Sequence, residues 1–230
     1  MNLVDFIANI LFPKRCVFCD SVVSRDEDIC GKCDAYKCVI GKDICYQCAR
    51  DKEQCMCGDR KLYFDSCIAP FYFTDVVRNS IHTFKFRGRP DKSKGFSSLM
   101  CQCIQDKYAH LSYDCVLSVP MYYKKQIVRG YNQSELLAKN IAVVLAKPCY
   151  TDILCKVKDM TPQHELKDIN RFENIADTFS ISNKSLINGK NIILVDDVFT
   201  TGSTLNECAK VLKLFGAQHV YGVVIAATRK

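Results

Sequence analysis

Two hydrophobic rhythms divide the chain near residue 67. Beyond that point, short apolar runs alternate with stretches whose apolar residues recur every three or four positions. The runs predict strands near 67–73, 115–119, 192–195 and 219–226; the helical spacing predicts helices near 76–84, 97–108, 134–146 and 204–215. Alternation of this kind implies an α/β unit over residues 67–230, a parallel sheet flanked by helices, with its ligand at the C-terminal ends of the strands. Residues 1–66 lack the alternation and read as a small separate unit. It opens with Leu3, Phe6, Ile7, Ile10 and Leu11 on one helical face, ended by Pro13. The opposite face lacks the Lys/Arg of a membrane-surface helix, which favours packing against protein.

Composition changes the picture mainly through cysteine. Sixteen of the 230 residues are Cys, and ten of them lie between Cys16 and Cys67. Asp5 interrupts the apolar start and no small-residue cleavage site follows, so the expected compartment is a reducing cytoplasm, where paired cysteines serve as metal ligands more often than as disulfides. No apolar run approaches the roughly 18–20 residues of a spanning helix, so no membrane insertion is expected. Four close pairs follow one another: Cys16/Cys19, Cys30/Cys33, Cys45/Cys48 and Cys55/Cys57, three of them C-x-x-C. Such knuckles deliver two thiolates to one ion, and eight thiolates suit two tetrahedral zinc sites. Sequential and interleaved pairings both satisfy the count, and with six residues between Cys48 and Cys55 a single occupied site also stays open. The expected role is structural, because the segment offers no His and too few Leu, Ile or Val for a core of its own, so metal supplies folding energy.

Charge separates the two parts further. The net charge is +7; residues 1–67 carry 10 basic against 11 acidic groups and residues 68–230 carry 22 against 14, so an anionic partner belongs to the second part. The most informative stretch there is residues 192–204. Ile192, Ile193, Leu194 and Val195 form a doubly buried strand, Asp196 and Asp197 stand at its expected end, and Thr200, Thr201, Gly202, Ser203 and Thr204 lead into a helix. Hydroxyls, free backbone N–H groups and the positive end of a helix converge there on one spot, which suits a phosphate. Adjacent carboxylates repel a second phosphate but accept hydrogen bonds from a sugar diol, directly or through Mg²⁺. A ribose 5-phosphate moiety meets both demands. Neither G-x-x-x-x-G-K-[ST] nor G-x-G-x-x-G occurs.

This segment resembles the motif with which type I phosphoribosyltransferases bind phosphoribosyl pyrophosphate (PRPP), and the whole chain resembles the ComF family of ComFC-like competence proteins, a zinc ribbon joined to such a domain. Further matching residues are Leu11-Phe12-Pro13, Lys85-Phe86, Val119-Pro120, Arg129-Gly130-Tyr131-Asn132-Gln133, and Thr161, Gln163, Arg171, Asn174 and Phe179. Tyr131 stands where Phe is frequent, and Cys55-x-Cys57 departs from C-x-x-C. The resemblance implies PRPP with Mg²⁺ held by Asp196 and Asp197; Val198 and residues 200–204 at the 5′-phosphate; Pro120 and Met121 at the pyrophosphate; and Arg129, Lys156 and Arg171 at the leaving group. Lys124 and Lys125 face the same group or form a solvated basic loop, and Asn132 and Gln133 either reach ligand or cap the next helix. Residues 156–175 read as an active-site lid, with Lys158 among its cations.

Two functions are compatible with this reading: handling of single-stranded DNA during DNA uptake, with a competence-machinery protein as a further partner, or phosphoribosyl transfer to an amine or nucleobase. Lys85, Arg87, Arg89, Lys92 and Lys94 beside Phe84, Phe86 and Phe96 provide the charge and aromatic mixture that single strands favour, or else a solvated edge beside core aromatics.

Overall fold

The computed structural model describes residues 13–55, 57–58, 60–156 and 179–229. The expected N-terminal helix, the matches Leu11 and Phe12, the lid, and Lys158, Thr161, Gln163, Arg171 and Asn174 lie outside the described residues.

A parallel sheet forms the centre. Its strands are β3 (Ser66–Ile68) and β4 (Phe71–Tyr72) on one edge, β10 (His219–Ala227), β9 (Asn191–Phe199), β5 (Cys115–Ser118) and β6 (Cys149–Tyr150) on the other edge, in that spatial order. The strand expected over 67–73 is split at Pro70, which has no N–H to give to a ladder; its carbonyl instead accepts from Ile40 N at 3.0 Å. The helices are α1 (Asp75–Phe86), α2 (Lys92–Tyr108), α3 (Tyr123–Arg129), α4 (Gln133–Leu145) and α5 (Ser203–Leu214). Successive residues of β10 face opposite ways: Tyr221 packs on Tyr108 of α2, whereas Gly222 lies so close to Leu205 of α5 that a Cβ would approach its Cδ2 to 2.5 Å. Helices therefore cover both faces, and Val195, Leu194, Leu117 and Ile225 are wholly buried between them. A separate antiparallel pair, β7 (Leu154–Lys156) with β8 (Phe179–Ile181), packs beside α5. Among the described residues no helix is long and apolar enough to cross a membrane.

Among the described residues the cysteine-rich segment contributes the short antiparallel pair β1 (Ile44–Cys45) and β2 (Arg50–Asp51) and two 3-10 turns, Asp34–Cys38 and Lys52–Gln54, yet its apolar side chains enter the same core as the sheet. Phe18 packs edge-on against Phe71 at 5.0 Å and Phe96 at 5.8 Å. The carbonyl of Val17 accepts from Lys92 Nζ (2.6 Å) and from Ser80 Oγ, and Lys92 and Arg89 both reach Asp20. Of the basic residues read as a nucleic-acid edge, Arg89 and Lys92 are thus spent on holding the first knuckle, and Phe84 and Phe96 are fully buried core. The apolar and charged pattern there was structural for those four residues because the knuckle lies directly against α1 and α2.

Candidate functional site

β9 and β5 are neighbours, with Ser118 opposite Val195, and β5 ends there while β9 continues beside β10 to Phe199. Asp196 and Asp197 therefore lie inside a strand that runs four residues past the apolar run ending at Val195, but beyond the end of β5. Adjacent strand residues point to opposite faces, and the two acids divide accordingly. Asp196 Oδ1 accepts from Ser134 Oγ at 2.9 Å, in the first turn of α4, and from the backbone N of Asp197 at 2.9 Å. Burial, then the negative charge of Asp197, pushes its carboxyl up to about 7 despite those two bonds. Asp197 Oδ1 accepts from Lys85 Nζ at 2.7 Å, at the end of α1.

After Phe199 the chain turns into α5. Gly202 precedes the helix with φ +80°, and a Cβ there would lie 2.4 Å from Cζ of Phe199. Thr201 Oγ1 accepts from Ser203 N and lies 2.7 Å from Ser203 Oγ, while Thr200, Thr201, Ser203 and Thr204 are all exposed. Hydroxyls and first-turn N–H groups outside the helical ladder form a solvent-open cup, an arrangement able to receive an anion. Gly202→Ala adds a left-handed alanine and a clash with the Phe199 ring. We expect it to weaken phosphate-ester binding roughly tenfold or more while the melting temperature falls by only a few degrees; calorimetric titration and thermal melting check this.

Val119-Pro120 runs past the acidic strand: Val119 N donates to Val195 O at 2.9 Å, and Pro120 and Met121 are half-buried beyond it. The stretch read as a basic loop is the two-turn helix α3, closed by Gly130 at φ +86°. It buries no residue; Tyr123, Ile127 and Val128 are exposed beside Lys124 and Lys125. Arg129 donates from Nη1 to Gln133 Oε1 (2.7 Å) and stacks 4.6 Å above the ring of Phe86, at one wall of a cleft of about 550 Å³ that Lys85 also lines. Asn132 caps α4, its Oδ1 accepting from Ser134 N at 3.1 Å, which decides its role in favour of the cap. Lys156 stands apart on β7, its ammonium 5.7 Å from the ring centre of Phe179. Val198 is half-buried in β9, between the acids and the cup.

The structure thus joins Asp196, Asp197 and the hydroxyl cup, and adds two residues that sequence reasoning had not placed there, Lys85 and Ser134. Neither contact has a local signal, since Lys85 and Asp197 are 112 positions apart and Ser134 and Asp196 are 62 apart.

The cysteines pair sequentially. Cys16, Cys19, Cys30 and Cys33 bring their sulfurs within 4.8 Å of one another, and so do Cys45, Cys48, Cys55 and Cys57. A zinc ion with bonds of about 2.3 Å holds tetrahedral sulfurs roughly 3.8 Å apart, so both sets fit a structural tetrathiolate site, the short Cys55-x-Cys57 knuckle included.

Residues 7–67 match the double zinc ribbon domain and residues 129–230 the phosphoribosyl transferase domain. The chain is 27% identical to Competence protein F of Haemophilus influenzae over 219 residues, covering 91% of this chain and 95% of that one. It is 26% identical to Competence protein ComFC of Bacillus subtilis, over 86% and 88% of the two chains. Over nearly its full length the chain is similar to these competence proteins, and its two domain matches agree with the resemblance to the ComF family. A DNA utilization protein YhgH of Salmonella typhimurium is 30% identical over 64% of this chain and 66% of its own. The double-Asp strand, the hydroxyl cup and α5 all fall within the phosphoribosyl transferase match, whereas Lys85 falls outside it.

Proposed function

We propose that this chain binds PRPP with Mg²⁺ at the rim of its sheet and works in the handling of single-stranded DNA during DNA uptake. The observation that carries the first part is the juxtaposition of Asp196 and Asp197 with the exposed cup of Thr200, Thr201, Ser203 and Thr204 on one continuous strand–turn–helix. The cup takes the 5′-phosphate, with Gly202 admitting its close approach and Val198 lining the way to the acids. The carboxylates take the ribose hydroxyls and would hold Mg²⁺, whose chemistry there is neutralisation of the pyrophosphate charge. Lys85 keeps Asp197 neutralised before ligand arrives and is then free to turn to the pyrophosphate. Pro120, Met121 and Arg129 border the space for that group.

The DNA part is supported by α3 and its surroundings. Phe86, Tyr123, Ile127 and Val128 are 57–90% exposed, and Lys124, Lys125 and Arg129 stand among them. Exposed rings and apolar side chains set in positive charge suit unstacked bases on a phosphate backbone. The names of relatives, competence proteins and a DNA utilization protein, agree with that surface.

The test is a titration of the full chain with PRPP and Mg²⁺, and with oligothymidylate over a salt series. We expect PRPP binding that requires Mg²⁺, and DNA binding that weakens steeply with salt. Tyr123→Ala, at a ring that is exposed and touches none of the groups assigned to PRPP, should lower oligothymidylate affinity about tenfold, the value of one base-stacking platform, without changing PRPP affinity. Absence of PRPP binding would refute the pocket; a salt-independent DNA affinity would refute the surface. Release of pyrophosphate on adding ammonia or a nucleobase would instead mark the chain as a working transferase.

A further inference from the structure

Arg50 lies between Cys48 and Cys55 of the second cysteine set and is 3% exposed. Its guanidinium leaves the ribbon and reaches the far ends of the two central strands. Nε donates to Thr228 O at 2.6 Å, and Nη2 donates to Thr200 O at 3.2 Å and to Thr228 Oγ1 at 3.3 Å. Thr228 Oγ1 in turn donates to Thr200 O at 3.2 Å, and Thr228 N to Phe199 O at 2.9 Å. Every hydrogen bond that Arg50 makes among the described residues thus goes to a neutral oxygen. A buried cation with no carboxylate partner among the described residues is costly. Four thiolates around one divalent ion carry a net negative charge two residues away, at Cys48, which offsets that cost.

Thr200 is the first hydroxyl residue of the anion cup. Its carbonyl and the N–H of Thr201 belong to one planar peptide and point in opposite directions. Two donors holding the carbonyl on the ribbon side therefore aim the Thr201 N–H toward the open side of the turn, where the helix leaves its unpaired donors. A cavity of about 70 Å³ is lined by Cys48, Cys57 and Arg50 from the ribbon and by Thr200 and Thr201 from the cup, among others. Arg is suited to this bridge because its planar fork serves two acceptors at once, which a Lys ammonium on a flexible stem does not reproduce.

We propose that Arg50 is a positioning residue for the 5′-phosphate cup, so that the second zinc ribbon, although it touches no ligand, sets how tightly that phosphate is held. The inference rests on the PRPP reading of the pocket and adds to it the residue through which the two parts of the chain communicate.

The experiment compares wild type with Arg50→Ala, Arg50→Lys and Thr228→Val in the full chain, reading zinc content, PRPP affinity with Mg²⁺, and the phosphorus-31 spectrum of saturated PRPP. Loss of a buried charge-assisted hydrogen bond predicts an affinity about tenfold lower for Arg50→Ala, with Arg50→Lys and Thr228→Val in between. The decisive signature is selective: the 5′-phosphorus resonance should move toward its free position while the two pyrophosphate resonances keep their bound positions. A merely structural role would move all three together, and that result overturns the inference, as does wild-type affinity in Arg50→Ala. If Arg50→Ala does not fold, Arg50→Lys and Thr228→Val carry the same readouts. A wild-type chain that binds no PRPP removes the pocket reading and this inference with it, an outcome distinct from normal binding by the variants.

Discussion

Asp196→Asn combined with Asp197→Asn is expected to abolish measurable PRPP binding, a loss of at least a hundredfold, while the fold is kept or strengthened. On the proposed reading, the carboxylates that would take the sugar hydroxyls and Mg²⁺ become weaker, neutral acceptors. Stability should move the other way through Asp196. Its carboxyl titrates near 7 in the folded chain against about 4 when unfolded, so the folded state holds a proton that the unfolded state has lost. This group's contribution to stability therefore falls as pH rises from about 4 to about 7 and stays low above that. Asn at 196 removes the cost while still accepting from Ser134 Oγ, and at pH 8 it should raise stability by about 1–2 kcal/mol after allowance for partial solvent access. The sign reverses for binding, because Mg²⁺ and the sugar need the ionised form. PRPP affinity should rise with pH up to about 7 and level off, and the single Asp196→Asn variant should retain only the ligand's own pH dependence. Titration calorimetry from pH 6 to 8 and denaturant melts at pH 5 and 8 measure both. Wild-type affinity in the double variant would sink the assignment.

That acid pair was legible because its whole context is local. An apolar run, two carboxylates, hydroxyl residues with one Gly and an amphipathic helix are consecutive, and each obeys its own short-range rule. The limits were local as well. β9 runs four residues past its apolar core because β10 stays beside it to Ala227, a long-range pairing that hydrophobicity along one strand does not encode. α3 has no buried face, so no periodicity announces it, and only its Gly130 cap stops it. The edge strand broke at Pro70 because that carbonyl is given to the ribbon. Cysteine spacing announced two thiolate sets but not their pairing, which depends on how the two knuckles fold back. In the sequence Lys85 and Lys92 belong to one basic and aromatic edge, and Arg50, set between two cysteine pairs, carries no signal of its own; in the fold Lys85, Arg50 and Lys92 part ways. Packing gives one to an acid pair, one to a peptide carbonyl of the cup, and one to the first knuckle.

The shared core determines what losing zinc does. Cys16 is fully buried, and the residues that follow it, Val17 and Phe18, are fixed to Lys92, Ser80, Phe71 and Phe96 in the α/β part. Cys16→Ser removes one of four thiolates from the first set, so bound zinc should fall from about two ions per chain to about one. Structural zinc is worth well over 10 kcal/mol to a ribbon peptide. Here neighbouring protein holds the knuckle from two sides, so we expect a loss of about 3–5 kcal/mol and a fall in melting temperature of roughly 10 °C or more. Because the knuckle and the sheet share one buried cluster, the variant should melt in a single broadened transition at lower temperature, not as a loose ribbon on an intact domain. Cys38→Ser is the control: Cys38 is buried and accepts from Thr74 Oγ1 at 3.4 Å, but it belongs to neither sulfur set. It should keep both ions and lose only about 1 kcal/mol. Elemental analysis and calorimetric melting decide the matter: unchanged zinc in Cys16→Ser removes Cys16 from the ligand set, and two separate transitions would show that the ribbon and the sheet are energetically independent.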